Sequence, residues 1–239
     1  MAMKHIVAIG GGEIGRPGYP IETTAIDKQI ISLSGKAKPT VLFVPTASSD
    51  SQGYYEVFNQ HYGKRLGCDT MALNLCSKPS RKTIEGAIGG ADIIYVGGGN
   101  TLKMMMLWRR MGVDKLMAKA YDDGKVLSGL SAGAICWFNA GLSDSRSFTS
   151  KGKEWNYINV HGLSLENVLL CPHFDAEPGR RPALKNCLHG TRKVAIALDN
   201  CTALEVKDSS YRILTSKQSA KGLSWSTKTI QPNKISFPV

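Results

Sequence analysis

The stretch that most constrains this chain is Gly129-Leu130-Ser131-Ala132-Gly133. An apolar run, Lys125-Val126-Leu127-Ser128, leads into it, and Ala134-Ile135-Cys136-Trp137-Phe138 leads away. The order reads as strand, turn and helix, the setting in which a G-x-S-x-G sequence lifts a serine hydroxyl clear of the backbone. Glycines on both sides allow a tight, strained turn, and the helix that follows aims its first amides at the reacting centre. The same letters also spell an ordinary glycine-rich turn, so the rest of the chain has to supply partners.

One set of partners lies a helix earlier. Ala91-Asp92-Ile93-Ile94-Tyr95-Val96 reads as a buried strand and ends in Gly97-Gly98-Gly99-Asn100-Thr101, after which helical spacing resumes at Leu102, Met105 and Met106. Asn100 or Thr101 caps that helix. Acyl transfer needs donors aimed at a developing oxyanion. The exposed amides of Gly98 and Gly99, with that of Ala132 beside the serine, would supply them. Alone, the glycine run is a βα turn; with the elbow it reads as an oxyanion hole.

The serine also needs a base. Of five histidines, His173 follows an apolar run, Asn167-Val168-Leu169-Leu170-Cys171, and a proline. Ligands of open α/β sheets bind beyond the carboxyl ends of strands, so this position selects His173. The carboxylates between Ser131 and His173 are Asp144, Glu154 and Glu166. Asp144, in Gly141-Leu142-Ser143-Asp144-Ser145, can fold back to fix the imidazole tautomer. It can equally be a turn residue bonding its own backbone. Asp175 and Asp199, near strand ends, remain alternatives for this role.

Strand-like runs near 4–9, 40–45, 70–75, 92–96, 125–128, 167–171 and 194–198 alternate with helical stretches near 22–34, 54–66, 101–111, 113–122, 131–140 and 181–189. That alternation predicts an α/β fold, a mostly parallel sheet with helices on both faces. Residues 203–206 and 211–215 read as a C-terminal β-hairpin, and the stretch from Gly222 as either a further edge strand or a partly loose tail. With 239 residues and no linker or repeat, 1–239 reads as a single domain. Met104-Met105-Met106 is expected in a helix core, and Tyr54 and Tyr55 in a pocket wall or a helix face.

In Val96-Gly97-Gly98-Gly99-Asn100-Thr101, Gly129-Leu130-Ser131-Ala132-Gly133-Ala134 and Pro172-His173-Phe174, the chain resembles the peptidase E family, aspartyl dipeptidases related to cyanophycinases. The resemblance runs from Pro45-Thr46-Ala47 to about Val206. It implies a class I glutamine amidotransferase-like scaffold, with Ser131 as nucleophile, His173 as base and Asp144 near the family's acidic position. Enterobacterial members carry a longer segment after the histidine, ending in an arginine that binds the substrate's aspartyl side chain. Here that segment is Phe174-Asp175-Ala176-Glu177-Pro178-Gly179-Arg180-Arg181. Arg180 or Arg181 would take that part, while Asp175 and Glu177 would modulate preference. Asn100 joins this substrate-binding group.

The expected function is therefore a serine peptidase acting on short peptides, with N-terminal aspartyl dipeptides the leading substrates. A cyanophycinase-like β-aspartyl peptidase and a non-catalytic binding member of the fold are the alternatives. A glutamine amidotransferase would carry cysteine at the elbow. Gly10-Gly11-Gly12-Glu13-Ile14-Gly15 matches neither a dinucleotide fingerprint nor a P-loop and reads as a loop at the rim of the site. Six cysteines without paired spacing suggest reduced thiols, no metal site and a cytoplasmic location. No cofactor is implied, and no run is long enough to span a membrane. The net charge of +11 is spread along the chain, which reads first as a solvated basic surface, second as steering of acidic peptides and last as nucleic-acid binding. A monomer or homodimer is expected.

Overall fold

The computed structural model describes residues 3–148, 155–177, 179–190, 194–208, 210–226 and 229–234. Five parallel strands form its centre: β1 (His5–Ile9), β2 (Thr40–Val44), β3 (Asp69–Ala72), β4 (Ile93–Val96) and β5 (Val126–Leu130). They pair in the order β1-β5-β4-β2-β3. Strands covered on both faces need continuous apolar sequence, and β1, β4 and β5 are buried throughout. Their side chains alternate between two cores. Ile6, Ala8, Ile94 and Val96 face one, with Met104, Met105 and Trp108. Val7, Ile9, Ile93 and Tyr95 face the other, with Ile26, Phe58 and Tyr62.

Crossover helices supply those outer layers. They are α1 (Thr24–Leu33), α2 (Gln52–Phe58) running on into a π-helical stretch (Asn59–Arg65), α3 (Arg81–Gly90), α4 (Thr101–Met111) and α5 (Val113–Asp122). The expected methionine core is present, although Met106 points outward. α3 was not anticipated; Ser80 caps it by accepting from the Thr83 amide. The expected hairpin forms as β10 (Thr202–Lys207) and β11 (Ser210–Thr215), antiparallel, with β10 against β1. Among the described residues, no helix is long and apolar enough to cross a membrane.

The fold departs from a single sheet after the elbow. The helix expected over 131–140 stops after one turn, α6 (Ala132–Ile135), and β6 (Phe138–Ser143) begins a second sheet. A longer helix would send the carbonyls of Cys136, Trp137 and Phe138 to amides four residues on. Instead they accept from Leu163, Leu165 and Ser164. Besides β6, that sheet contains β7 (Ile158–His161), β8 (Glu166–Cys171), β9 (Val194–Leu198), β12 (Gly222–Ser226) and β13 (Thr229–Lys234). Its order is β13-β12-β9-β8-β6-β7, with β6, β8 and β9 parallel. The strand expected from Gly222 thus pairs here, on β9. Helix α7 (Arg180–Leu188) packs against this sheet.

The two glycines of the elbow are needed for space. A Cβ on Gly133 would overlap the Val96 carbonyl, and one on Gly129 would press on the Gly133 backbone. Gly133→Ala is therefore expected to lose about 2–3 kcal/mol in denaturant unfolding. Gly86→Ala, in α3 with open space around it, should gain about 0.5–1 kcal/mol.

Candidate active site

Three successive carbonyls at the end of β1 gather the site. Ile9 O accepts from the Ser131 amide at 3.0 Å, Gly10 O from His173 at 3.0 Å and Gly11 O from Cys201 at 2.8 Å. These bonds join the elbow after β5, the segment after β8 and the link from β9 to β10. Ser131, His173 and Cys201 all have positive φ, at 57°, 51° and 63°. Such backbone costs on the order of 1–3 kcal/mol per residue and persists where surrounding contacts impose it. The ψ of −109° at Ser131 marks the sharp reversal expected of an elbow.

His173 is held by a side chain that the sequence reading passed over. Its Nδ1 lies 2.7 Å from Asn200 Oδ1. An amide oxygen there only accepts, so Nδ1 carries the proton and Nε2 is left to take one. Asp175 Oδ1 in turn accepts from the Asn200 amide at 2.8 Å. A Cβ on Gly11 would land on both Asn200 Oδ1 and the His173 ring, so only glycine leaves room for this pair. Burial, and next the positive charge of Arg180, push the His173 pKa down. No hydrogen bond joins Ser131 Oγ to His173 among the described residues; in serine hydrolases such bonds are often long before substrate binds.

Ser131 and His173 line one cavity of about 750 Å³, with Gly98 and Gly99 on its wall. Cavities of this size hold small ligands. A Cβ on Gly98 would lie 3.5 Å from Ser131 Cβ, so its backbone runs alongside that serine. The Gly98 amide donates to Tyr54 Oη at 3.3 Å, and burial pushes the Tyr54 phenol up, keeping it protonated. Tyr54 is thus a wall residue of the pocket. Ala132 begins α6 directly after the serine, and its amide has no preceding turn to bond.

The remaining expected residues fall elsewhere. Asp144 makes no hydrogen bond to the imidazole; its carboxyl is pushed up by burial, with Arg180 opposing. Asp199 accepts from the Lys221 amide, and Glu154 lies outside the described residues. None of Asn100, Asp175, Glu177, Arg180 and Arg181 lines the cavity. Asn100 caps α4 through Oδ1 and ties Nδ2 to the Ser145 carbonyl. Arg180 is buried, with Nε 2.7 Å from Glu177 and Nη1 2.6 Å from Leu142 O. Glu177 also accepts from Tyr157 Oη. Arg181 is exposed and lies over the Phe174 ring. Cys136, one turn past the serine, is buried with its thiol pushed well up, which makes it packing.

A strained serine at a strand-to-helix elbow, a histidine on a neighbouring strand end and a glycine-lined cavity define a serine hydrolase arrangement. The profile of peptidase family S51 matches residues 6–214, and the chain belongs to that family of serine peptidases. It is 34% identical over 223 residues to the uncharacterized peptidase YgaJ of Bacillus subtilis (strain 168), covering 92% of this chain and 90% of that protein. It is 28% identical over 179 residues to the uncharacterized peptidase Lin0382 of Listeria innocua serovar 6a, covering 74% and 83%. Two solved structures share the fold. A candidate peptidase E protein from Listeria monocytogenes EGD-e has a TM-score of 0.66 at 21% identity, over 90% of this chain and 99% of that one. A peptidase from an acI-B1 actinobacterium has a TM-score of 0.70 at 20% identity, over 94% and 97%.

Two measurements check this geometry. Gly11→Ala should remove most activity, by about 100-fold or more in kcat, because the collision displaces His173 or Asn200. The second is the pH profile. His173 has to be neutral to act as base, so its lowered pKa should keep kcat/KM on its plateau below the usual imidazole value of about 6.5. Asn200→Asp adds a negative charge beside the ring and should move that acid limb up by about one unit or more. Asn200→Ala should cost about 10–100-fold in kcat.

Proposed function

We propose that the protein hydrolyses short peptides, with dipeptides bearing an N-terminal aspartate as the leading substrates. One observation carries this reading: Ser131, held at positive φ, and His173 share a cavity with the Gly98 and Gly99 backbone. Ser131 Oγ attacks the scissile carbonyl while His173 Nε2 takes its proton. The developing oxyanion rests on the amides of Gly99 and Ala132, and on that of Gly98 once it exchanges Tyr54 Oη for the substrate oxygen. His173 then hands the proton to the departing amine, and a water, activated by the same nitrogen, releases the acid from Ser131.

Asn200 is assigned the orienting role given elsewhere to a carboxylate, and the Nδ1 contact supports it over Asp144. An amide serves that role in Cys-His-Asn sites, so acyl transfer does not require a charge there. The limited cavity favours short substrates over folded proteins, and the formal charge of +11 favours acidic ones.

Ser131→Ala should lower kcat by about 1,000-fold or more on the best Asp-Xaa dipeptide. Its stability should change little, since alanine keeps the same strained backbone. Ser131→Gly should be equally inactive yet about 0.5–2 kcal/mol more stable, because glycine relieves the positive φ. Near-normal turnover by either variant removes Ser131 from the nucleophile's role.

A further inference from the structure

Among the described residues of the cavity wall, Glu13 and Arg16 are the Asp, Glu, Lys or Arg side chains, and both come from the loop after β1. They are not equivalent. Glu13 is largely covered and already satisfied: Oε1 accepts from the amides of Gly15 and Arg16, at 3.1 and 2.9 Å, and Oε2 from Arg16 Nε at 2.6 Å. Arg16 contributes that one side-chain N–H and no other among the described residues. Its guanidinium also lies 5.0 Å from the Tyr19 ring centroid, and its side chain remains 66% exposed. The guanidinium is thus fixed at Nε and supported on one face, while the Nη1 and Nη2 edge is unspent. That edge is a fork matched to a carboxylate.

We propose that Arg16 is the specificity residue that binds a substrate carboxylate, through Nη1 and Nη2, in the cavity of Ser131 and His173. The proposal rests on the peptide-hydrolase reading of that site. In an aspartyl dipeptide, two carboxylates lie one short chain length from the scissile carbonyl: the aspartyl side chain and the C-terminal α-carboxylate. An extended dipeptide spans only about 7 Å, so either lies within a cavity of this size when the carbonyl is at Ser131. The arginines of the segment after His173 cannot serve instead by the same route, since neither lines the cavity. The loop after β1 thereby has two separate tasks. Its glycines make room for the base, and Arg16 selects the substrate.

The test uses Asp-Leu, Asn-Leu and Asp-Leu amide with the wild-type protein and Arg16→Ala. Arg16→Ala should raise KM for Asp-Leu by about tenfold or more while kcat changes less than about threefold; tenfold corresponds to about 1.4 kcal/mol. One of the two neutralised substrates should show the same weakening with wild type and no further loss with Arg16→Ala, which identifies the carboxylate bound. Arg16→Lys should restore binding only in part, because an ammonium lacks the fork. An equal loss on all three substrates, or none on any, overturns the proposal. Calorimetry of Asp-Leu with Ser131→Ala and with Ser131→Ala/Arg16→Ala gives a readout independent of turnover. Binding abolished by the second substitution upholds the Arg16 assignment even if the peptidase reading fails. Unchanged binding, or no binding to Ser131→Ala at millimolar peptide, overturns it.

Discussion

The carbonyl oxygens of Ile9, Gly10 and Gly11 carry the geometry on which the rest of the site depends. Each holds the amide of a different segment, at Ser131, His173 and Cys201. Two of those segments leave the second sheet and one leaves the first, so three consecutive peptide units of β1 and its loop join both sheets at one point. Backbone hydrogen bonds of this kind fix main-chain position without engaging the reactive side-chain atoms, which stay available for chemistry. The strain at the three recipients is the counterpart: each is a non-glycine residue at positive φ, kept there by the bond to β1.

This arrangement explains which parts of the molecule were legible in the sequence. The parallel strands, the hairpin at 202–215 and the elbow follow from local apolar runs and turn residues, and each forms. The second sheet did not, because its start is decided by distant amides. Leu163 and Leu165 take the carbonyls of Cys136 and Trp137, which local spacing would have assigned to a helix. Ser131 and His173 were readable because strand ends locate them. Asn200 was passed over for a chemical reason. A carboxylate is the usual partner of such a histidine, and Asn200 stands beside Asp199 at the same strand end. Glycine-rich turns conceal a further function: the sequence reading placed Gly11 at the rim, and only the packing shows that it clears space for a hydrogen bond between side chains.

A neutral group on Nδ1 changes the electrostatics of His173. With a carboxylate on Nδ1, the imidazolium formed during acyl transfer is stabilised and the resting pKa rises. Here burial and Arg180 act in the opposite direction, and the Arg180 charge is itself held by Glu177 and the Leu142 carbonyl. The residues after His173 therefore form a buried network that influences the base by its field. Glu13 and Arg16, in the loop after β1, are charged side chains of the cavity wall. A contracted segment after the histidine is compatible with the acid-selective site proposed above, in which Arg16 would select substrate and Asn200 would position the base.

The central claim is that Asn200 holds His173 in the tautomer with Nδ1 protonated and Nε2 left to accept a proton. Nitrogen-15 spectra of the His173 ring, followed through a pH titration of the intact protein, read that state directly. The account predicts a neutral ring with the proton on Nδ1 and a midpoint below the unperturbed value of about 6.5. A proton on Nε2 in the neutral ring, or a midpoint above about 7, would contradict it.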